Sequence, residues 1–575
     1  MRVNIQGVPA FLKQQPSRIV SSPSLNFVAG AKNVKSLHAL CGSTGRSFAV
    51  LASVFAAFLL HAVAAFSQVN VTTYHFDNLR SGQNIHETVL TPALVNVNSF
   101  GKLFSQPIDG QVYAEPLVVD NLQIIGKGTH TVVYVATEND SVYAFDGNSN
   151  TGSNAAPLWR ASFINPAKGV TTIPSSDLGT ISITPQIGIT STPVIDVNNE
   201  TLYVVAATKE NGAYYQRLHA LDISTGAEKF GGPVVISASV KGTGANSSGG
   251  YVSFDPLRSN QRPGLLLVNG VVYIAWASYG LENIFPYHGW VIGYNETTLE
   301  LTSAFCVTPN GDQGGIWQDG DGLAADTLGN IFFMSGNGTF DANKGGGDYG
   351  MSYVKLSSTG GLKAVDYFTP YNAKRESLGD LDLGSGGPLL FPYQTGATDP
   401  YLAVGAGKDG NLYLVNRSHM GGYNLKNNSQ IVEEIPAAFA GHSMFSTPAF
   451  WQGNLYYWGT YDTLRIFQVS GGLIATTPIA TSSYSLASPG ATPVISSNGT
   501  TSGIVWALDT SRSLTSGPAV LHALNAQTAV ELYNTTQSGT RDQAGNAVRF
   551  AIPTVANGKV YVGTETELDV YGLLP

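Results

Sequence analysis

Short apolar runs, separated by polar and glycine-bearing turns, recur along the chain from about residue 115 onward. One unit opens with a small or polar residue, often before proline, and two or three apolar residues. A turn then leads to a strand of the Val-Tyr-Val type, a loop to a second strand ending near Asp, and a Thr-Gly-like turn to a last strand. The first copy reads Glu115-Pro116-Leu-Val-Val, Val132-Val-Tyr-Val-Ala136, Ser141-Val-Tyr-Ala-Phe-Asp146 and Pro157-Leu-Trp-Arg160. Further openings fall at Thr192-Pro193, Arg262-Pro263, Asp321-Gly322, Gly387-Pro388, Thr447-Pro448, Thr492-Pro493 and Ile552-Pro553, eight copies with the first. The last copy has no fourth strand, whereas Gly101–Ile108 is a strand with no copy of its own. The pattern therefore predicts an all-β fold: an eight-bladed β-propeller of four-stranded antiparallel blades over residues 101–575. The N-terminal strand completes the last blade and removes the free sheet edges. The spacing of roughly 45 to 77 residues suits such blades better than the shorter, more regular coil of a parallel β-helix.

Composition agrees. Of 575 residues 65 are Gly and 27 are Tyr, and only 12% are charged, which suits many short strands and turns. The formal net charge of −9 argues against a nucleic-acid partner.

The N-terminus has a different character. The first acidic residue is Asp77; before it stand Lys13, Arg18, Lys32, Lys35 and Arg46, then an apolar run from Phe48 to about Phe66. A basic segment, an apolar segment and the small-x-small end Ala65-Phe66-Ser67 read as a signal peptide cleaved near Gln68. The other reading is an uncleaved segment that anchors the chain, the only membrane contact expected. Residues 1–67 are thus expected to direct export to the periplasm or cell exterior, and 68–100 form an extension before the propeller. Cleavage leaves Cys306 as the single cysteine, in an apolar strand, so no disulfide framework is expected. No Cys-x-x-Cys-His occurs, so no covalent haem is expected.

In a propeller blade, the loops before the first strand and between the second and third share one face, and here those loops hold the unusual residues. Between Val271 and Arg417 several pieces follow in order: Ser278-Tyr-Gly-Leu-Glu282; Gly314-Gly-Ile-Trp317; Ser335-Gly-Asn337-Gly; Thr369-Pro370 leading to Gly379-Asp380-Leu-Asp382; and Gly407-Lys408-Asp-Gly-Asn. This series resembles the pyrroloquinoline quinone (PQQ) dependent alcohol dehydrogenases. The resemblance implies Glu282 and Asn337 as calcium ligands and Trp317 as the plate under the quinone. It implies Lys408 at the quinone oxygens and Asp380, with Asp382 in reserve, as catalytic base. The chemistry is coherent: a hard cation takes oxygen ligands, a carboxylate accepts an alcohol proton, and an ammonium stabilises developing negative charge.

Two features depart from that family. The adjacent cysteine pair is missing, and the tryptophan that ends each blade motif is mostly absent, so a different aromatic packing scheme is expected. Each piece also has an ordinary structural reading. Asn337 in Ser-Gly-Asn-Gly suits a turn and heads a glycosylation sequon, Trp317 suits a core plug, and Glu282 suits a solvated loop. Tyr287, His288 and His442 lie near blade openings, where single histidines serve as hydrogen-bonded structural groups.

Two functional readings stay open. One is a dehydrogenase of an alcohol or sugar that uses PQQ and Ca²⁺ and passes electrons to an external acceptor. The other is a non-catalytic extracytoplasmic propeller that binds protein or glycan. No nucleophile elbow or spaced carboxylate pair supports a hydrolase.

Overall fold

The computed structural model describes residues 68–179, 182–279, 285–319 and 321–575. The expected leader, anchor and cleavage site within 1–67 lie outside the described residues, as does Glu282. Among the described residues no helix is long and apolar enough to cross a membrane.

Eight antiparallel sheets follow one another as blades. Blade 1 comprises Leu117–Ile124, Gly128–Thr137, Ser141–Asp146 and Trp159–Ser162. Blade 2 is built on Val194–Asp196, Thr201–Glu210, Ala213–Asp222 and Val234–Val235, and carries an extra hairpin, Val170–Pro174 with Gln186–Ile187. Blade 3 comprises Leu266–Val268, Val271–Trp276, Trp290–Asn295 and Leu301–Cys306; Cys306 is buried and free. The inner strands of blades 4 to 8 start at Ala324, Leu389, Ala449, Val494 and Thr554, each just after a predicted opening. In the last blade, Phe100–Pro107 pairs antiparallel with Glu567–Leu573, so the first and last parts of the propeller share one sheet.

The expected change in aromatic packing has a concrete form. The tyrosine of the Val-Tyr-Val strand reaches across to the next blade and donates its hydroxyl to the turn after that blade's third strand. Tyr134 bonds the Ile223 carbonyl at 2.8 Å, Tyr203 that of Glu296 at 2.8 Å, Tyr456 that of Ala526 at 2.9 Å and Tyr561 that of Gly147 at 3.4 Å. The last of these joins blade 8 to blade 1. Each tyrosine ring is buried between sheets while its polar end satisfies a turn carbonyl, so one residue type supplies both apolar area and direction. Blade interfaces are otherwise apolar, with Trp276, Trp290, Trp451, Trp458 and Trp506 fully buried.

The extension 68–100 is more than a lead-in. Its backbone passes the inner strand of every blade in order. Val71 pairs with Val118, the Thr72 carbonyl accepts from Ile195 N–H, and Asn78 Nδ2 donates to the Leu267 carbonyl. The carbonyls of Asn78, Leu79 and Ser81 accept from Ala325, Leu390 and Phe450. Gln83–Asn84 pairs parallel with Ile495 and Ser496, and Asn84 Nδ2 donates to the Val555 carbonyl. Inner propeller strands have one unpaired edge facing the axis; this segment satisfies part of it and fills the hub. Arg80, fully buried, donates to the carbonyls of Leu323 at 2.9 Å and Tyr74 at 2.6 Å and to Thr73 Oγ1 at 2.9 Å. Burial disfavours its charge, and the nearby Asp321 carboxyl favours it.

Candidate functional site

The loops before first strands and between second and third strands gather on one face, as the repeat predicts, and enclose a cavity of about 470 Å³. That lies within the range of small-molecule sites, roughly 300–1,000 Å³. Five of the six residues singled out in the sequence line it: Trp317, Asn337, Asp380, Asp382 and Lys408. They come from the loops of blades 4 and 5. Glu282 lies outside the described residues; Phe285 lines the cavity.

Local structure explains the placement. Helix Ala373–Leu378 stops at Gly379, whose N–H bonds back to the Arg375 carbonyl. Asp380 follows in a left-handed conformation, φ 56°, which Asp tolerates better than bulkier residues. The chain then turns inward, so Asp380 is exposed at the mouth (side chain 78%) and Asp382 is buried beneath it (6%). Asp382 Oδ1 accepts from the Asn337 backbone N–H at 2.7 Å, and Oδ2 from Lys408 Nζ at 2.6 Å. Lys408 Nζ also reaches Asp380 Oδ1 at 3.1 Å, and Asn337 Nδ2 donates to that same oxygen at 2.9 Å. Burial pushes the Asp382 carboxyl up, against the pull of Lys408. Burial opposes the Lys408 charge, but the two carboxylates outweigh it and its pKa is raised.

Trp317 forms the adjacent wall. Tyr287 meets it edge-on at 6.5 Å between centroids, and Phe285 stacks on Tyr287 at 5.4 Å. Gly336 makes this approach possible: a Cβ there would collide with Asp382 Oδ1 and stand 2.8 Å from Trp317 Cδ1. Asn337 Oδ1 is buried and has no hydrogen-bond partner among the described residues, an orphan acceptor that invites a cation or a donor. Among the described residues no three His, Cys, Asp or Glu side chains cluster as a metal site, so a cation here would rely on the Asn337 amide beside Asp380 and Asp382.

The sequence missed other wall residues. Asp319 pairs with Arg262 at 2.6 Å, and Phe445 closes the side next to blade 6. Phe445 precedes a blade opening, so its place in the repeat could have flagged it; the Arg262–Asp319 pair joins distant loops and leaves no local signal. His288 is structural: its ring nitrogens face Thr308 Oγ1 at 3.0 Å and the Ala245 carbonyl at 2.8 Å.

Solved structures share this fold. The chain superposes on a quinohemoprotein alcohol dehydrogenase from Comamonas testosteroni with a TM-score of 0.55 at 14% identity, over 90% of this chain and 82% of that one. The fold is that of the quinoprotein alcohol dehydrogenases. A quinohemoprotein alcohol dehydrogenase from Pseudomonas putida HK5 gives a TM-score of 0.54 at 14% identity, over 89% of this chain and 82% of that one. A europium-containing methanol dehydrogenase gives 0.56 at 12% identity, over 88% and 98%. No protein-family model and no curated protein matches the sequence. At this identity the likeness shows the quinoprotein-type scaffold alone, and the function has to be argued from the site.

Proposed function

We propose that the chain oxidises the hydroxyl of an alcohol or sugar, with PQQ and a hard cation such as Ca²⁺ held in the Trp317–Asn337–Asp382 cavity. The observation that carries this reading is the orphan Asn337 Oδ1 beside two carboxylates and an indole plate in one cavity. Oxygen donors suit a hard cation, and a flat apolar wall suits a flat ring system. When bound, the quinone with its cation supplies the two-electron acceptor that protein side chains lack.

The chain's own residues would do the rest. Asn337, with Glu282 as a further proposed ligand, would hold the cation. Trp317, backed by Tyr287, would fix the ring plane. Asp380 is the better base of the two carboxylates: it stands at the mouth, open to water, so a proton taken from the substrate hydroxyl can leave. Asp382 is engaged on both oxygens and acts as an anchor. Lys408 is held charged between them and would face negative charge developing on the acceptor. Electrons would leave to a separate carrier, and the basic and apolar N-terminal segment fits a site of action outside the cytoplasm.

The test is direct. PQQ with Ca²⁺ added to the purified protein is expected to quench tryptophan emission and to allow dye-linked alcohol oxidation. Asn337→Ala is expected to remove the cation dependence and Asp380→Asn to remove turnover while leaving quenching intact. Unchanged emission and no dye reduction would leave the non-catalytic propeller that binds protein or glycan.

A further inference from the structure

A second cavity, about 510 Å³, adjoins the first. Ser377 and Leu378 line both, and Gly338, next to Asn337, lies on the second side and bonds Ser377 Oγ through its N–H at 3.4 Å. The two cavities are therefore separated by a single low wall whose crest, Leu378, is 83% exposed.

Their electrostatics are opposite. The charged residues lining the first cavity are Asp319, which Arg262 pairs, and Asp380 and Asp382, which share Lys408, leaving one negative charge in excess. Those lining the second are Lys344 and Lys374, with no acid. Neither lysine makes an ion pair or side-chain hydrogen bond among the described residues, whereas Arg375 beside them is held by Glu376 at 2.7 Å. Two uncompensated ammonium groups beside one cavity are notable in a chain of net charge −9. The opposite flank is aromatic: Phe340 and Tyr423 lie 5.4 Å apart between centroids, and Tyr367 meets Phe340 edge-on at 6.0 Å.

We propose that the second cavity is a subsite for the carboxylate-bearing end of an acidic sugar, so that the substrate of the first cavity is a uronate-containing saccharide. This deepens the dehydrogenase reading and rests on it. A pyranose ring presents an apolar face that stacks on aromatic side chains, and its carboxylate pairs with ammonium groups. The acidic first cavity repels the charged end and admits a neutral hydroxyl, while the lysines hold the anion beyond the Leu378 crest. The field between the two cavities thus sets the direction of binding, with the reactive hydroxyl toward Asp380.

Titration calorimetry with digalacturonate on the protein without quinone or cation isolates the subsite. Its dimethyl ester keeps the shape and removes the charge. The acid is expected to bind at least about tenfold more tightly than the ester, a difference of one charge-assisted contact. The Lys344→Gln/Lys374→Gln variant is expected to erase that preference, and Lys363→Gln, an exposed lysine of the same blade, to keep it. Equal binding of acid and ester, or a preference that survives the double variant, overturns the subsite. Dye-linked turnover separates the two readings. Lysine-dependent binding with no oxidation by the PQQ- and Ca²⁺-loaded protein supports the subsite and sinks the dehydrogenase. Oxidation of neutral and acidic saccharides with equal kcat/KM supports the dehydrogenase and sinks the subsite.

Discussion

Lys408 Nζ stands 2.6 Å from Asp382 Oδ2, and the lysine backbone N–H bonds the Asp382 carbonyl at 2.9 Å. The loop of blade 5 is thereby tied twice to the segment entering that blade, once through charge and once through the main chain. Because Asp382 is buried, the pair is a structural clamp as well as a chemical one.

Removing one partner leaves an uncompensated buried carboxylate. Lys408→Met is expected to cost about 3 kcal/mol near neutral pH, and Lys408→Met/Asp382→Asn less. The cost of the single variant should shrink as pH falls, because Asp382, already pushed up by burial, takes a proton. Urea denaturation at pH 7.5 and pH 5 measures both effects.

Gly336→Ala tests geometry without changing charge. The added methyl cannot coexist with the present positions of Asp382 and the Trp317 ring edge. The expected result is a fold of near-normal content by circular dichroism with quinone quenching weakened by about tenfold or more. Undiminished quenching would remove Trp317 from the proposed site.

The hub predicts an unusual pH dependence. Burial pushes Glu115 up to about 8, Asp321 up to about 7 and Glu138 up to about 7. Each binds its proton more tightly in the folded state, so its stabilisation is full at low pH and is lost as pH rises through these values. Burial lowers His75 to about 4 from 6.5, which works the other way, but only below pH 6.5. Tm is therefore expected to rise as pH falls from about 8, and to go on rising below pH 6.5 because the three acids outweigh the one histidine, levelling only as pH nears the ordinary carboxylate range of about 4. Glu115→Gln, which mimics the protonated acid, should flatten the upper limb; scanning calorimetry across this range decides it.

The tyrosine latches should act independently. Tyr134→Phe and Tyr203→Phe each remove one hydroxyl bonded to a turn carbonyl and leave the ring, at a cost of about 1 kcal/mol. Their effects should add, since each spans a different blade interface. Chemical denaturation of the single and double variants checks this. A strongly non-additive double variant would mean that the latches form one coupled unit.

Much of the scaffold was legible in order of residues alone. Strand, turn and blade opening are local events, written in alternation, proline and glycine, so the repeat that begins at Pro116 and returns at Pro193 and Pro553 specifies blade number and the face on which Trp317, Asn337, Asp380 and Lys408 stand. The likeness of those motifs to a known series also proposed which side chains to watch. It did not rank the two carboxylates by environment: the exposed mouth position of Asp380 and the buried, doubly bonded state of Asp382 depend on how the turn after Leu378 packs against blade 5.

What only the tertiary structure decided is whatever depends on the ring as a closed object. The passage of residues 71–84 along all eight inner strands has no periodic signature, because each contact is only one or two bonds, from backbone or an Asn side chain, to a different blade. The Arg262–Asp319 pair and the Lys344–Lys374 cavity likewise join loops whose sequence separation carries no distance information. Local patterning fixes the shape of each blade, whereas the meeting of charges from different blades is set by the angle at which neighbouring sheets pack, and that angle is a property of their buried interfaces.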